Sequence, residues 1–511
     1  MAMPAADRMR QVHLGLGSSR CAASADDGTT AQEQHAAHEA LLLARCPPST
    51  WPHGSCRASC PRPILVTAEH GRQLAALHGA LAAALNDIVP RWWRDVEAAF
   101  PQRMPLADDE GHLLQWLDEQ QQLGRLRPYA TCQGAWRPDF LIEEVRDDNG
   151  RATENFRVSE INARFCFNGF MHVAYGSAAL EDMGAAQSGL VAATDGSQVP
   201  NSLFPSHRAP YGKANLLTPC ARKIVDGLLD LFERDKSLHI LKGDETGIDM
   251  PMFVHAARLR LGGRSPRVIA PGDLRLSAPD AHSRTTLCCL APDGALRTAA
   301  GERVEEVHQV ALELRQRELR RLDRALLRAL SLRCVNDMRT VLLVHDKRML
   351  GVVLQELGSL TARGVLTPAQ AAALNRGIAH TILPGSPALR TLDEHARHEY
   401  LLKPVRGGKG AGILFGEDMT AGAWRAALAR LREPGLRPDD DGCVVVQRRV
   451  RQIRYEVVLK PSGEAARYPL VGTYHVVNGR YLGMGIWRSS GDRICAVSTG
   501  GSWMCSVMSP C

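Results

Sequence analysis

The chain has 511 residues, of which 45% are hydrophobic and 23% charged, with a formal net charge of +7. That composition excludes a disordered or fibrous whole and allows two to four domains with their own cores. The charge suits a protein that handles phosphates, but no basic stripe interleaves with the eight Trp, eight Tyr and ten Phe, so a nucleic-acid surface is not expected.

Residues 1–62 are rich in Ala, Ser, Gly, Gln and His, with Pro47, Pro48, Pro52 and Pro61. They read as a mostly disordered leader. Asp26, Asp27, Glu33 and Glu39 argue against a mitochondrial presequence. The fourteen cysteines contain no CxxC pair, and Cys46, His53, Cys56 and Cys60 match no common metal-site spacing. No apolar run nears the ~18 residues of a membrane span and no secretory signal opens the chain, so a cytoplasmic protein is expected.

Residues 63–130 read as a helical cap. Leu74, Leu77, Leu81 and Leu85 recur at three- and four-residue spacing, predicting a helix over 70–89 that Pro90 ends. Further amphipathic helices are predicted over 91–100 and 110–123, with Trp92, Trp93 and Trp116 as core anchors.

Over 131–335 a metal-ligand hairpin precedes a βαβ subdomain. Strands are predicted over 135–142 and 156–163 around the acidic turn 143–150. Glu160 and Asn162, two apart, point to one face, with Asp139 on the partner strand. These are hard oxygen donors of the kind magnesium takes while it also holds substrate phosphates; the alternative is a solvated polar face on an edge strand. A helix over 219–232 with Thr218 as cap, a strand over 238–241, a helix over 252–261 stopped by Gly262 and Gly263, and a strand over 267–269 predict a parallel βαβ unit. Its loop Gly243-Asp244-Glu245-Thr246-Gly247 lies at the carboxyl end of a strand, a secondary candidate for the substrate. Residues 302–332 read as a long charged helix or helix pair.

Over 336–511 a strand is predicted at 340–345, and Asp346-Lys347-Arg348 opens a helix through Leu357, which puts Lys347 at a helix N-terminus suited to phosphate. Then Leu402-Lys403-Pro404-Val405-Arg406-Gly407-Gly408-Lys409-Gly410-Ala411-Gly412 reads either as a hairpin covering an anion or as a basic surface turn. Glycines let backbone N–H groups approach phosphate oxygens, and the basic heads match their charge. A helix over 421–431, a strand over 442–447 and a hairpin of 468–477 with 481–487 about Asn478-Gly479, leading to Arg488, complete the prediction.

These residues together resemble the ATP-grasp superfamily, in its circularly permuted branch that includes the glutathionylspermidine synthetases. Arg137-Pro138-Asp139-Phe140 resembles the family's Arg-x-Asp-Phe, Glu160-Ile161-Asn162-Ala163 its Glu-x-Asn-Ala, Asp346-Lys347-Arg348-Met349-Leu350 its Asn-Lys-x-x-Leu, and Leu402-Lys403-Pro404 with the glycine loop its Lys-Pro-x-x-Gly-Arg. The carboxylates precede the lysines, as in the permuted branch. The resemblance implies an α/β (α+β) fold of ATP-grasp-like mixed sheets, with ATP and Mg2+ as cofactors and 336–511 as the nucleotide-binding region. It further implies that Asp139, Glu160 and Asn162 hold magnesium, that Lys347 and Lys403 contact the ATP phosphates, and that Gly407, Gly408, Lys409 and Gly410 cover them. Arg137 would steady the charge on the transferring phosphoryl group, and Arg488 would help orient phosphate or substrate. Gln447 is either an adenine hinge or a structural strand end. The implied reaction joins a small-molecule or peptide carboxylate to an amine through an acyl phosphate, without nucleic acid or membrane as partner. A nucleotide-binding scaffold without turnover and a kinase that stops at the phosphorylated product are the alternatives. Where the family continues Asp-Thr-Pro after Glu-x-Asn-Ala, this chain has Arg164-Phe165-Cys166, so glutathione and spermidine are not supported as substrates.

Overall fold

Two apolar strands joined by a polar turn form the hairpin that carries the predicted carboxylates. Ala135–Arg146 pairs antiparallel with Ala152–Asn162, setting Arg137 opposite Asn162 and Asp139 opposite Glu160, with a register shift between Asp139 and Phe140. The computed structural model describes residues 8–14, 28–147, 149–186, 188–192, 219–261, 265–277, 286–393 and 395–508. On its other edge Ala135–Arg146 pairs with Gly472–Val477, which continues to Arg480–Met484. The turn between these last two strands places Asn478 and Gly479 at φ 45° and 73°, the left-handed pair that matches strand twist in a two-residue hairpin. Phe140 of this sheet meets Trp487 edge to face at 5.4 Å and packs tilted on Phe156 at 4.8 Å.

A second antiparallel sheet carries Lys403. Tyr400–Pro404 lies between Leu414–Phe415 and Val444–Arg448, with Thr381–Ile382 beyond. The helix Ala421–Leu431, capped by the Thr420 hydroxyl, buries Trp424, Leu428 and Leu431 on this sheet. The predicted parallel unit is present: His239–Lys242 sits between Arg267–Ile269 and Val310–Glu313, all parallel, and Met250–Arg260 is the crossover helix. Thr218, Gly262 and Gly263 lie outside the described residues.

Four expectations are corrected. Residues 28–62 are not a disordered leader: Gly28–Arg45 is a helix, Pro48–Thr50 and Pro52–Ala58 are 3-10 segments, and Leu42, Cys46, Trp51 and Cys56 share a core with Phe170 and Trp503. Before them, Arg10–Gln11 pairs with Ile64–Val66, which runs parallel to Ser506–Met508 at the far end of the chain. Composition concealed this because the segment's apolar residues find their partners far along the chain, around Phe170 and Trp503. Residues 340–345 are not a strand; Thr340–Val344 is a π-helical turn buried on all sides, and a short apolar run gives no period to separate the two. The 302–332 stretch is not one long helix but the strands Arg303–Glu306 and Val310–Glu313 followed by Gln316–Leu319 and Arg324–Ser331. Val310-Ala311-Leu312 fills a parallel slot that arginine-rich flanks disguised. Residues 91–100 are mostly turn, after a helix Ala68–Arg91 that accommodates Pro90 in its last turn. Among the described residues no helix is long and apolar enough to cross a membrane.

Candidate active site

The paired strands bring Asp139, Glu160 and Asn162 to one patch together with Arg137, and further cations converge on it from three other segments. Arg137 spans Asp139 with Nε 2.9 Å from Oδ1 and Nη2 3.4 Å from Oδ2, and its Nη1 donates to the Asn168 carbonyl at 3.1 Å. Arg488 donates to Asp139 Oδ2 from the strand Trp487–Ser489. Asp139 is thus neutralised twice, which a buried carboxylate requires. Glu160 faces Lys347, whose Nζ stands 3.5 Å from Oε2, and Asn162 Nδ2 lies 3.5 Å from its Oε1. Burial alone would raise the Glu160 carboxyl, but Lys347, Lys403, Arg488 and Arg137 outweigh it and hold the group far below the usual carboxylate range.

The two predicted lysines converge. Lys347 sits just before the helix Arg348–Ala362; its backbone N–H donates to Val405 O at 3.0 Å and its ammonium to Gly407 O at 2.9 Å, tying that helix end to the glycine loop. Lys403 is buried and donates to Ser159 O at 3.3 Å and Gln447 Oε1 at 3.2 Å. Burial, with Lys347 nearby, lowers Lys403 to about 8 although Glu160 and Asp139 pull it back up. Gln447 completes its own bonding through Nε2, to Ser159 O and Thr381 Oγ1. Its side chain is therefore a holder for Lys403 at a buried strand end.

Gly407, Gly408, Lys409 and Gly410 follow the Tyr400–Pro404 strand as an arch. Gly407 and Gly410 have φ 122° and 74°, and Lys409 itself is left-handed at φ 59°. A Cβ on Gly410 would come within 2.2 Å of Ile494 Cγ2, so only glycine fits there. The lid's root is anchored by charge: Arg406 donates to Glu110 at 2.6 Å and to Asp346 at 3.3 Å, while Asp346 also holds the fully buried Arg348.

Two cavities meet at this patch. One runs from Lys403 and Gln447 along Arg448, Arg449 and Val450. The other is lined by Arg137, Asn162, Arg164 and Glu245, together with Ser55 and His172. Asp139, Glu160, Lys409 and Arg488 line both. The second cavity exposes what sequence reading missed. Pro52, His53, Ser55 and Ala58, from the supposed leader, form one wall, and Ser55 Oγ lies 3.0 Å from His172 Nε2. Arg164, where the chain leaves the family pattern, stacks on Phe165 at 4.3 Å and turns into the same space. That motif break was the one legible signal.

Two lysines thus face the hairpin carboxylates beneath a glycine arch, and the α+β fold is glutathione synthetase-like. The structure of a glutathione synthetase like-effector (GSS30) from Globodera pallida in apoform matches with a TM-score of 0.50, covering 94% of this chain and 97% of that one at 12% identity. The chain belongs to the family described as the AnkG N-terminal domain, which matches residues 77–343. It is 34% identical over 453 residues to the ATP-grasp enzyme ankG of Aspergillus thermomutatus, a span of 85% of this chain and 86% of that protein.

Proposed function

We propose that this ATP-grasp enzyme is a carboxylate–amine ligase that forms an amide through an acyl phosphate and releases ADP. The observation that carries the reading is the meeting of two cavities at Asp139, Glu160, Lys409 and Arg488. One has the length and cationic floor for a nucleotide; the other opens on the same charges from the opposite side, where an acid and an amine would lie. That the hairpin carboxylates precede both lysines in the chain supports the circularly permuted branch.

The donor chemistry fits a hard cation. Glu160 is ionised and a fifth exposed, with Lys347 at a long 3.5 Å, and Asn162 adds an amide oxygen beside it. Asp139, Glu160 and Asn162 would hold magnesium, which when bound neutralises charge on the ATP phosphates. Lys347 and Lys403 bind those phosphates, and Gln447 keeps Lys403 aimed. The arch of Gly407, Gly408, Lys409 and Gly410 covers them and excludes water. The substrate carboxylate oxygen attacks the γ-phosphorus, the bond to the bridging oxygen breaks, and ADP leaves. Arg137 and Arg488, fixed against Asp139, stabilise the negative charge that gathers on the transferring phosphoryl group. The amine nitrogen, after losing its ammonium proton to water, then attacks the acyl carbon, phosphate departs, and the nitrogen loses a second proton to the departing phosphate. Positioning and electrostatics carry both steps, so no side-chain nucleophile is needed.

The test is thermal unfolding with and without a non-hydrolysable ATP analogue and magnesium, for wild type and Lys403→Ala. A magnesium-dependent rise that the variant loses supports the reading and leads to a screen of acids and amines for ADP release. No rise with millimolar nucleotide refutes it.

A further inference from the structure

The loop Gly243-Asp244-Glu245-Thr246-Gly247 follows the middle strand of the parallel sheet and is tied to Glu318. Asp244 N–H donates to Glu318 Oε1 at 2.8 Å, and Gly243 passes so close to Glu318 that an added Cβ would meet Oε1 at 2.0 Å. Glu245 is buried in the wall of the acceptor-side cavity and is paired at Oε2 with Arg315. Its other oxygen faces Lys409 Nζ at 3.5 Å. The two partners differ in kind: Lys409 is more than half exposed, on the glycine arch, whereas Glu245 is fixed.

A primary ammonium on a buried carboxylate, within the cavity opposite the nucleotide side, is what an amine substrate would present there. Of the three carboxylates lining that cavity, Asp139 is taken by Arg137 and Arg488, and Glu160 faces Lys347. Only Glu245 has a partner that the lid can remove. Arg315 and Lys409 keep it ionised against the effect of burial. We infer that Glu245 receives the ammonium of the amine substrate, and that Lys409 occupies this position until nucleotide phosphates draw it away. The inference rests on the ligase reading and makes binding ordered, nucleotide before amine. It also fixes the substrate class as a primary, cationic amine, because Lys409 Nζ is such a group.

The experiment measures binding of the magnesium complex of a non-hydrolysable ATP analogue to wild type, Glu245→Gln and Lys409→Ala. It then measures thermal midpoints with millimolar n-butylamine, putrescine or glycinamide. Freed of Glu245, Lys409 should bind phosphate without first breaking an ion pair, so Glu245→Gln should bind the analogue about two- to fivefold tighter. Lys409→Ala should bind it more weakly. The amines should raise the wild-type midpoint only when the analogue is present, should raise that of Lys409→Ala without it, and should leave Glu245→Gln unmoved in either state. Unchanged analogue affinity in Glu245→Gln overturns the exchange, and failure of all three amines to stabilise Lys409→Ala overturns the amine assignment. Both results are separable from failure of the nucleotide site on which the ligase reading rests, in which wild type would bind no analogue at all. Lys409→Ala is an exposed truncation that should keep the fold, so the amine arm stands even if Glu245→Gln is poorly folded.

Discussion

Asp139 and Glu160 are direct cross-strand partners, a pairing of like charges that would destabilise a hairpin were each not neutralised by a separate set of cations. Arg137 and Arg488 take Asp139, while Lys347 faces Glu160 with Lys403 close behind. Removing the Glu160 carboxylate leaves two buried lysines facing each other. Glu160→Gln should therefore cut ADP release with the true substrates by at least ~100-fold, in line with other electrostatic stabilisers, with a near-native circular dichroism spectrum. ADP release equal to wild type would remove Glu160 from the chemistry.

Lys403 gives a pH dependence with a definite sign. Its folded value is depressed to about 8, whereas an unfolded lysine titrates near ~10.4. Between those values the unfolded chain binds more protons, so Lys403's contribution to stability grows as pH rises through this window. Affinity for a nucleotide phosphate moves the other way, because the ammonium is lost. The Kd of the ATP analogue should weaken as pH passes about 8, and Lys403→Arg should remove that dependence. Glu160, held low, adds stability above the usual carboxylate range near ~4.3 that is lost on acidification through its folded value.

The lid can be tested at two glycines that differ in one respect. Gly407 has open space around its Cβ position and is demanding only in φ; Gly410 combines a positive φ with the contact to Ile494. Gly407→Ala should weaken analogue binding by about tenfold through backbone strain alone, and Gly410→Ala by more. Isothermal titration of both variants checks the ranking, and the reverse order would contradict the arch described here.

Asp346 holds Arg348, Arg406 and through them the root of the lid. In the resembled motif an asparagine stands at this position. Asp346→Asn nevertheless leaves two buried guanidinium groups short of charge, and should cost about 3 kcal/mol in denaturant unfolding. An unchanged midpoint would show that the arginines find other partners.

The N-terminal segment should prove structural. Gln11 Oε1 accepts from Val458 N at 2.7 Å and its Nε2 donates to Val458 O and Arg62 O, both at 3.2 Å. Gln11→Ala removes these three hydrogen bonds from a buried position and should lose about 1–3 kcal/mol. Deletion of residues 1–60 should then give an insoluble or unfolded protein, read by expression and near-ultraviolet dichroism.

The sequence by itself determined what local pattern and motif spacing can carry. Alternation placed Asp139, Glu160 and Asn162 on a hairpin, Asn478-Gly479 marked the turn of the hairpin beside it, and the strand–helix–strand order predicted the parallel unit. Lys403 and its glycines were legible because their chemistry is contained in a dozen consecutive residues. The tertiary structure decided whatever depends on partners remote in the chain. It converted the 340–344 run from expected strand to π-helical turn by burying it on every side, and it built residues 28–62 into a cavity wall against Trp503. It also brought Lys409 to Glu245 and Arg488 to Asp139. These pairings lie 164 and 349 positions apart in the chain. No period or composition encodes them, because burial and charge compensation are settled only when the whole chain has closed.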